Sequence, residues 1–210
     1  MTTETVAGIR IPDSPLAREA SDLVAEVSPG YLEAHCRRSH VFAALLGAAL
    51  GMGYDEELLY LCTVLHDLGL TERYATGERL EVAGARAAAD WARSHDLPDD
   101  RVDVLWDAVA LHTSAGIADA KGGEVALAHF GIGVDVIGVR RELISDDAFD
   151  AVVAAFPRQN FKKTFHELVI EHATRNPTAY LFTFLHESLR THVCPVPTFD
   201  EAFFGSPFTE

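Results

Sequence analysis

His66 and Asp67 stand side by side at the end of the apolar run Leu61-Cys62-Thr63-Val64-Leu65. Any fold of this chain must give them a partner, because burying ionisable side chains without one is expensive. A divalent cation is the simplest partner, since it takes a neutral imidazole nitrogen and a carboxylate oxygen together. Adjacent helical positions splay only about 100° apart, so the two can converge on one ion. A buried histidine donating to a neighbouring aspartate is the ordinary structural alternative, and the doublet alone leaves both open. Two further isolated polar residues tip the balance: His40 in Ser39-His40-Val41-Phe42-Ala43-Ala44, and Asp135 in Gly131-Ile132-Gly133-Val134-Asp135-Val136-Ile137-Gly138. A charged aspartate almost never goes fully inside unpaired. His40, His66, Asp67 and Asp135 are therefore expected to hold one divalent metal, zinc first, with Fe2+ or Mn2+ as alternatives.

The order His, His-Asp, Asp resembles the defining ligand pattern of the HD-domain metalloproteins. The flanking stretches are similar to the cyanamide-hydratase-like branch of that superfamily: Arg38-Ser39-His40, Leu65-His66-Asp67-Leu68-Gly69-Leu70-Thr71, Leu80-Glu81-Val82-Ala83-Gly84-Ala85, Ala108-Val109-Ala110-Leu111-His112-Thr113 and Gly131 to Gly138. Leu80 stands where that branch more usually has an aromatic residue. The resemblance implies an all-α, HD-domain helical bundle, and hydration of a small nitrile-type substrate, cyanamide to urea being the pattern.

The helical periodicity agrees with that fold, and no strand-like alternation competes with it. Residues 1–14 read as a loose arm, 15–194 as the helical domain with its metal core at about 36–142, and 195–210 as an aromatic tail. Helices are expected from Pro15, from Ser28-Pro29 to Gly51, from Asp55 to the His66-Asp67 doublet with Gly69 as terminator, over 82–95, and from Pro98 to His112-Thr113. After a glycine-rich break, Gly116 to Gly123, come the Asp135 helix and helices over roughly 146–156, 160–175 and 178–192. The loop 70–79 follows the doublet and is placed to cover the site.

A net charge of -15 argues against a nucleic-acid backbone or an anionic membrane surface as partner. The three cysteines form no CxxC pair, so neither a thiolate zinc site nor a disulfide framework is expected. The amino terminus has no basic and apolar signal segment, and cytoplasm is the expected location. The aromatic tail (Phe199, Phe203, Phe204, Phe208) suits packing on the domain or a homodimer contact.

His112, at the end of an amphipathic helix, is the expected catalytic group together with Asp67; its alternatives are a second metal ligand or a helix-end histidine favoured by the dipole. Thr113, His129 and Leu70 are assigned to the substrate pocket. His129 lies six residues before Asp135, about 120° around an ideal helix, so it is a pocket residue rather than a ligand to the same ion. His35, His95, His166, His172, His186 and His192 read as surface or core helix positions. Gly131, on the face of Asp135, implies either close helix packing or open space beside the metal.

A cation with an open position lowers the pKa of its water towards ~7 and polarises an electron-poor centre. Attack on a nitrile carbon then gives an amide, with His112 or Asp67 supplying the proton to nitrogen. Val41, Phe42, Leu70 and Ile132 suggest an apolar lining suited to a small neutral molecule. The first alternative is phosphohydrolysis, for which Arg37, Arg38, Arg73, Arg79, Arg140 and Arg141 are the available cations. Others are a two-iron oxygenase using His112 and His129, and a non-catalytic metal-stabilised module.

Overall fold

The computed structural model describes residues 4–205. The described residues are all-α apart from one small hairpin, β1 (Thr5–Val6) paired antiparallel with β2 (Ile9–Arg10). That hairpin corrects the expectation of a loose arm. Ala7 and Gly8 both take positive φ, 50° and 81°, which matches the twist of a two-residue turn. Val6 and Ile11 are buried, anchoring the arm to the domain.

The helices begin where capping chemistry allows. Ser14 accepts from Ala17 N to open α1 (Pro15–Val27), whose Ala17, Ala20 and Val24 bury one stripe. The long α2 (Gly30–Leu50) begins one residue later than expected, with Pro29 itself as the cap, and stops at Gly51 with φ 65°. Asp55 accepts from Leu58 N and opens α3 (Glu56–Val64). The chain then leaves the helix before the doublet, and a short 3-10 turn spans Leu68–Leu70. Next come α4 (Leu80–Ser94) and α5 (Asp99–Leu111), then a short α6 (Ala118–Lys121) and α7 (Gly123–Ile137), which Gly138 ends at φ 79°. Beyond them lie α8 (Asp146–Ala155) and α9 (Phe161–Thr174). The helix expected over 178–192 is instead a 3-10 turn, Pro177–Tyr180, followed by a short α10 (His186–His192). The tail expectation is refined by a capped helix, α11 (Phe199–Phe204), in which Thr198 and Glu201 reciprocate hydrogen bonds. Phe208 lies outside the described residues.

The centre of the core is the α2–α7 pair, the most extensive helix contact in the molecule. Gly131 makes it possible: a Cβ there would run into Ser39 O and Ala43 N of α2. Close packing, not open space, is therefore its role. Gly69 does the same for the segment after the doublet, where a Cβ would strike Leu80 O and Gly84 N of α4. It is a close-approach residue within the 3-10 turn rather than the terminator of α3. A second, smaller apolar cluster holds Leu32, Leu70, Leu80, Val169, Tyr180 and Leu189 beneath the C-terminal elements. Tyr180 there accepts from Leu80 N at 2.7 Å. Among the described residues, no helix is long and apolar enough to cross a membrane.

Candidate metal centre

Because α3 ends at Val64, His66 and Asp67 sit in a turn rather than on a helix face. The turn aims both side chains at α2, where they meet His35. His35 Nε2 lies 3.2 Å from His66 Nε2 and 3.6 Å from Asp67 Oδ2, and His66 Nε2 lies 3.2 Å from Asp67 Oδ2. Two ligands each about 2.0–2.1 Å from a tetrahedral zinc stand roughly 3.3 Å apart, so the triangle has the dimensions of a metal face. All three side chains are buried, and this group could hold a metal ion.

The far side of each ring fixes what the near side offers. His66 Nδ1 donates to Thr63 O at 2.7 Å, and His35 Nδ1 donates to Asp135 Oδ2 at 2.7 Å. Both Nε2 atoms therefore carry lone pairs when the rings are neutral, and two lone pairs at 3.2 Å repel unless a cation lies between them. Asp67 Oδ2 accepts no hydrogen bond although it is buried, a costly state without a cationic partner. Without a metal that cation is a proton. Burial disfavours charge on His66, but the Asp67 carboxylate outweighs it and raises the imidazole well above its ordinary value. Burial would likewise raise Asp67, and the facing His66 charge instead holds it well below the usual carboxylate range.

His40 is not part of this group. It points from α2 to the opposite side, edge-on to Tyr60 at 4.8 Å between ring centroids. Neither ring nitrogen has a hydrogen-bond partner, and burial pushes its pKa down to about 3. Five residues separate it from His35, roughly 140° of helix, so one side chain faces the doublet and the other cannot. The histidine that the structure brings to the doublet is His35, not the expected His40.

Asp135 is at the site but stands behind it. Both its oxygens are engaged, by His35, by a bidentate Arg38 (2.7 and 2.8 Å) and by Arg158 Nη1 at 2.6 Å. Burial would raise its carboxyl; His35 and Arg38 together hold it well below the usual range. Arg38 is fully buried and also donates to Phe156 O and Pro157 O. Asp135 thus orients His35, the role carboxylates take behind ligating histidines. In place of the expected set of His40, His66, Asp67 and Asp135, the structure brings together His35, His66 and Asp67 as a group that could hold a metal ion, with Asp135 behind His35.

Beside the triangle lies a cavity of about 320 Å³ lined by His35, His66, Asp67 and His112 on its polar side. His112 ends α5, and its ring stands edge-on to His66 with centroids 5.0 Å apart. Its Nδ1 donates to Val109 O at 2.7 Å, leaving Nε2 as an acceptor. Burial, with the nearby His66 charge, lowers its pKa to about 4, so the ring is neutral at pH 7. Thr113 and His129 line the same cavity. Thr113 donates to the buried Glu81 Oε1 at 2.6 Å, and His129 Nδ1 donates to His112 O at 2.7 Å. Glu81 also receives Arg79, and although burial would raise its carboxyl, Arg79 leaves it lowered.

Leu70 does not line the cavity; it packs in the smaller apolar cluster against neighbours of Leu32 and Leu80. Val41 and Phe42 likewise face the main core. Of the apolar lining expected, Ile132 alone is in place; the rest comes from α7, from Leu80 at the start of α4, from Ala115 and Val139, and from Phe165, Val169 and Phe184. Loop 70–79 contributes nothing to the wall, so the C-terminal elements do the covering expected of it. Sequence reasoning takes His35 for a surface or core position and Arg38 for an available phosphate-binding cation, and it gives Glu81 no role of its own. The signal for the first two was His35-Cys36-Arg37-Arg38: one turn apart, on one face, inside an apolar helix, where a guanidinium is as costly as an aspartate. No family model and no curated protein matches this chain.

Proposed function

We propose that this chain is a metal-dependent enzyme that adds water to a small molecule with an uncharged, nitrile-type reacting group, on the pattern of cyanamide going to urea. The observation that carries the reading is the convergence of His35 Nε2, His66 Nε2 and Asp67 Oδ2 on the wall of a largely apolar cavity. Zinc is the cation of choice for two imidazoles and one carboxylate, with Fe2+ or Mn2+ next. Such an ion supplies a water of lowered pKa and an electrophile for the substrate's electron-poor atom. Asp135 holds the His35 tautomer, and Thr63 O holds that of His66. His112 Nε2, neutral and free to accept, takes a proton from water in the cavity and returns it to the substrate nitrogen. That refines the expected donor role: the proton has to reach His112 first. Thr113, tied to Glu81, borders the same space.

Support also comes from the resemblance to HD-domain proteins, whose order His, His-Asp, Asp is kept with His35 in first place. A phosphohydrolase is less well served. Of the six cations expected for it, Arg140 alone lines the cavity; Arg37, Arg38, Arg73, Arg79 and Arg141 do not, and are paired with Glu33, Asp135, Glu26, Glu81 and Asp146.

Elemental analysis of the purified protein together with a urea assay on cyanamide tests the reading. About one zinc per chain, lost in His66→Ala along with turnover, is the expected result. No metal, and none taken up on addition, would overturn it. About two irons would move His112 and His129 into the ligand set and favour oxygenase chemistry.

A further inference from the structure

Outside the triangle the cavity wall carries one cationic arginine, and it is unusually placed. Arg140 lines the cavity, half-buried, two residues beyond the Gly138 that ends α7. Its backbone sits at φ 59°, a left-handed conformation uncommon outside glycine and costly for a long side chain. Its guanidinium lies 4.1 Å from the ring centroid of Phe130, itself a cavity wall. A guanidinium stacked on an aromatic face keeps its N–H edge free for a planar anion.

Among the described residues no carboxylate takes that edge. Every other arginine of the described residues donates to a carboxylate or a backbone carbonyl. Arg140 makes neither contact, in a chain of net charge -15. The remaining carboxylate on the wall away from the triangle, Asp119, is turned to Gly116 N and His129. Around Arg140 the mouth is apolar, with Ile137 78% and Phe184 51% exposed.

We infer that the cavity takes an amphipathic carboxylate: an apolar body lies against Phe130, Ile132, Val136 and Phe165, and its carboxylate is held by the Arg140 fork at the mouth. The inference deepens the proposed function, since it takes the cavity as the substrate site, and it holds the anionic end on a residue outside the triangle. A volume of about 320 Å³ lies at the small end of the roughly 300–1,000 Å³ typical of ligand pockets. A planar carboxylate fits one guanidinium bidentately.

Octanoate and its neutral counterpart octanamide, titrated calorimetrically into metal-loaded and chelator-treated protein, provide the test. Octanoate is expected to bind both forms, more tightly than octanamide, and Arg140→Gln should weaken octanoate about tenfold while leaving octanamide unchanged. Should Arg140→Gln not fold, Arg140→Lys reads the same contrast with a smaller loss. The inference is overturned if octanoate does not bind, binds no better than octanamide, or is indifferent to Arg140. It is overturned equally if chelation abolishes binding, since the carboxylate would then be a metal ligand. Retained octanoate binding in a protein that takes up no metal sinks the proposed chemistry and leaves this site standing.

Discussion

His35 and His40 share a helix and differ in everything that matters to a metal. His35 has one nitrogen fixed by Asp135 and the other aimed at the doublet; His40 has two unpartnered nitrogens and an aromatic neighbour. His35→Ala is expected to abolish metal retention, measured as moles of metal per chain. His40→Leu is expected to retain the metal and to change stability by no more than about 1 kcal/mol, because removing an unsatisfied buried polar group offsets the packing change. Loss of metal from the His40 variant would reverse the assignment. Asp135→Asn strips the charge that pairs Arg38, and breaking a buried pair costs about 3–5 kcal/mol. Metal affinity should fall roughly 10–100-fold, as it does when the group orienting a ligating histidine is removed; equilibrium unfolding and a chelator competition read the two effects. At this scale His66, Asp67 and Asp135 were legible because each is a polar residue stranded in an apolar run. The choice between His35 and His40 was not, since both are stranded in the same run and only the helix phase relative to α7 separates them.

Helix starts and stops were legible in Pro15, Asp55, Gly51 and Gly138, where capping and left-handed backbone chemistry act within a few residues. The end of α3 was not, because an apolar run gives no sign that it will leave the helix before His66 and present the doublet from a turn. The C-terminal third was misread for a related reason: the stretch 178–192 has helical composition, yet Pro177–Tyr180 and α10 are separated by a non-helical segment that carries Phe182 and Phe184. The α2–α7 contact lets the element scale be tested. Gly131→Ala would force α7 off Ser39 and Ala43 of α2, and overpacking of this kind costs about 1–3 kcal/mol. For a chain of this size that lowers Tm by roughly 2–4 °C per kcal/mol. Gly133→Ala, whose Cβ would meet only the Val139 side chain at 3.3 Å, is expected to lower Tm less. Equal losses in the two variants would mean that the helix pair is not held by backbone approach. Since Asp135 lies one turn beyond Gly131, the Gly131 variant should also bind metal more weakly.

At the scale of the molecule, an all-α architecture followed from the periodicity, whereas the N-terminal hairpin and the apolar lid of the cavity depended on contacts between distant segments that no local pattern encodes. The whole chain also couples folding, proton and metal through one site, and the sign of that coupling can be worked out. In the metal-free protein His66 is raised well above 6.5 by Asp67, against the opposing effect of burial. Its contribution to stability is fully present below its unfolded pKa and is lost as pH rises through the folded one. Asp67 and Asp135 are lowered; their contributions are present above the unfolded carboxylate pKa and vanish as pH falls through the folded values. His35 is lowered by burial and His112 is lowered to about 4, so neither brings a proton to the site at pH 7. A cation entering the triangle therefore displaces a single proton, the one on His66. Metal uptake at pH 7 should release about one proton per ion, measured as the dependence of calorimetric heat on buffer ionisation enthalpy. Apparent affinity should go on rising with pH beyond neutrality, and the Tm gap between metal-loaded and chelated protein should widen from pH 6 to pH 8 because binding to the folded state alone stabilises it. A flat Tm gap with no proton released would mean that His66 is already neutral in the empty site, and that Asp67 does not hold a charge against it.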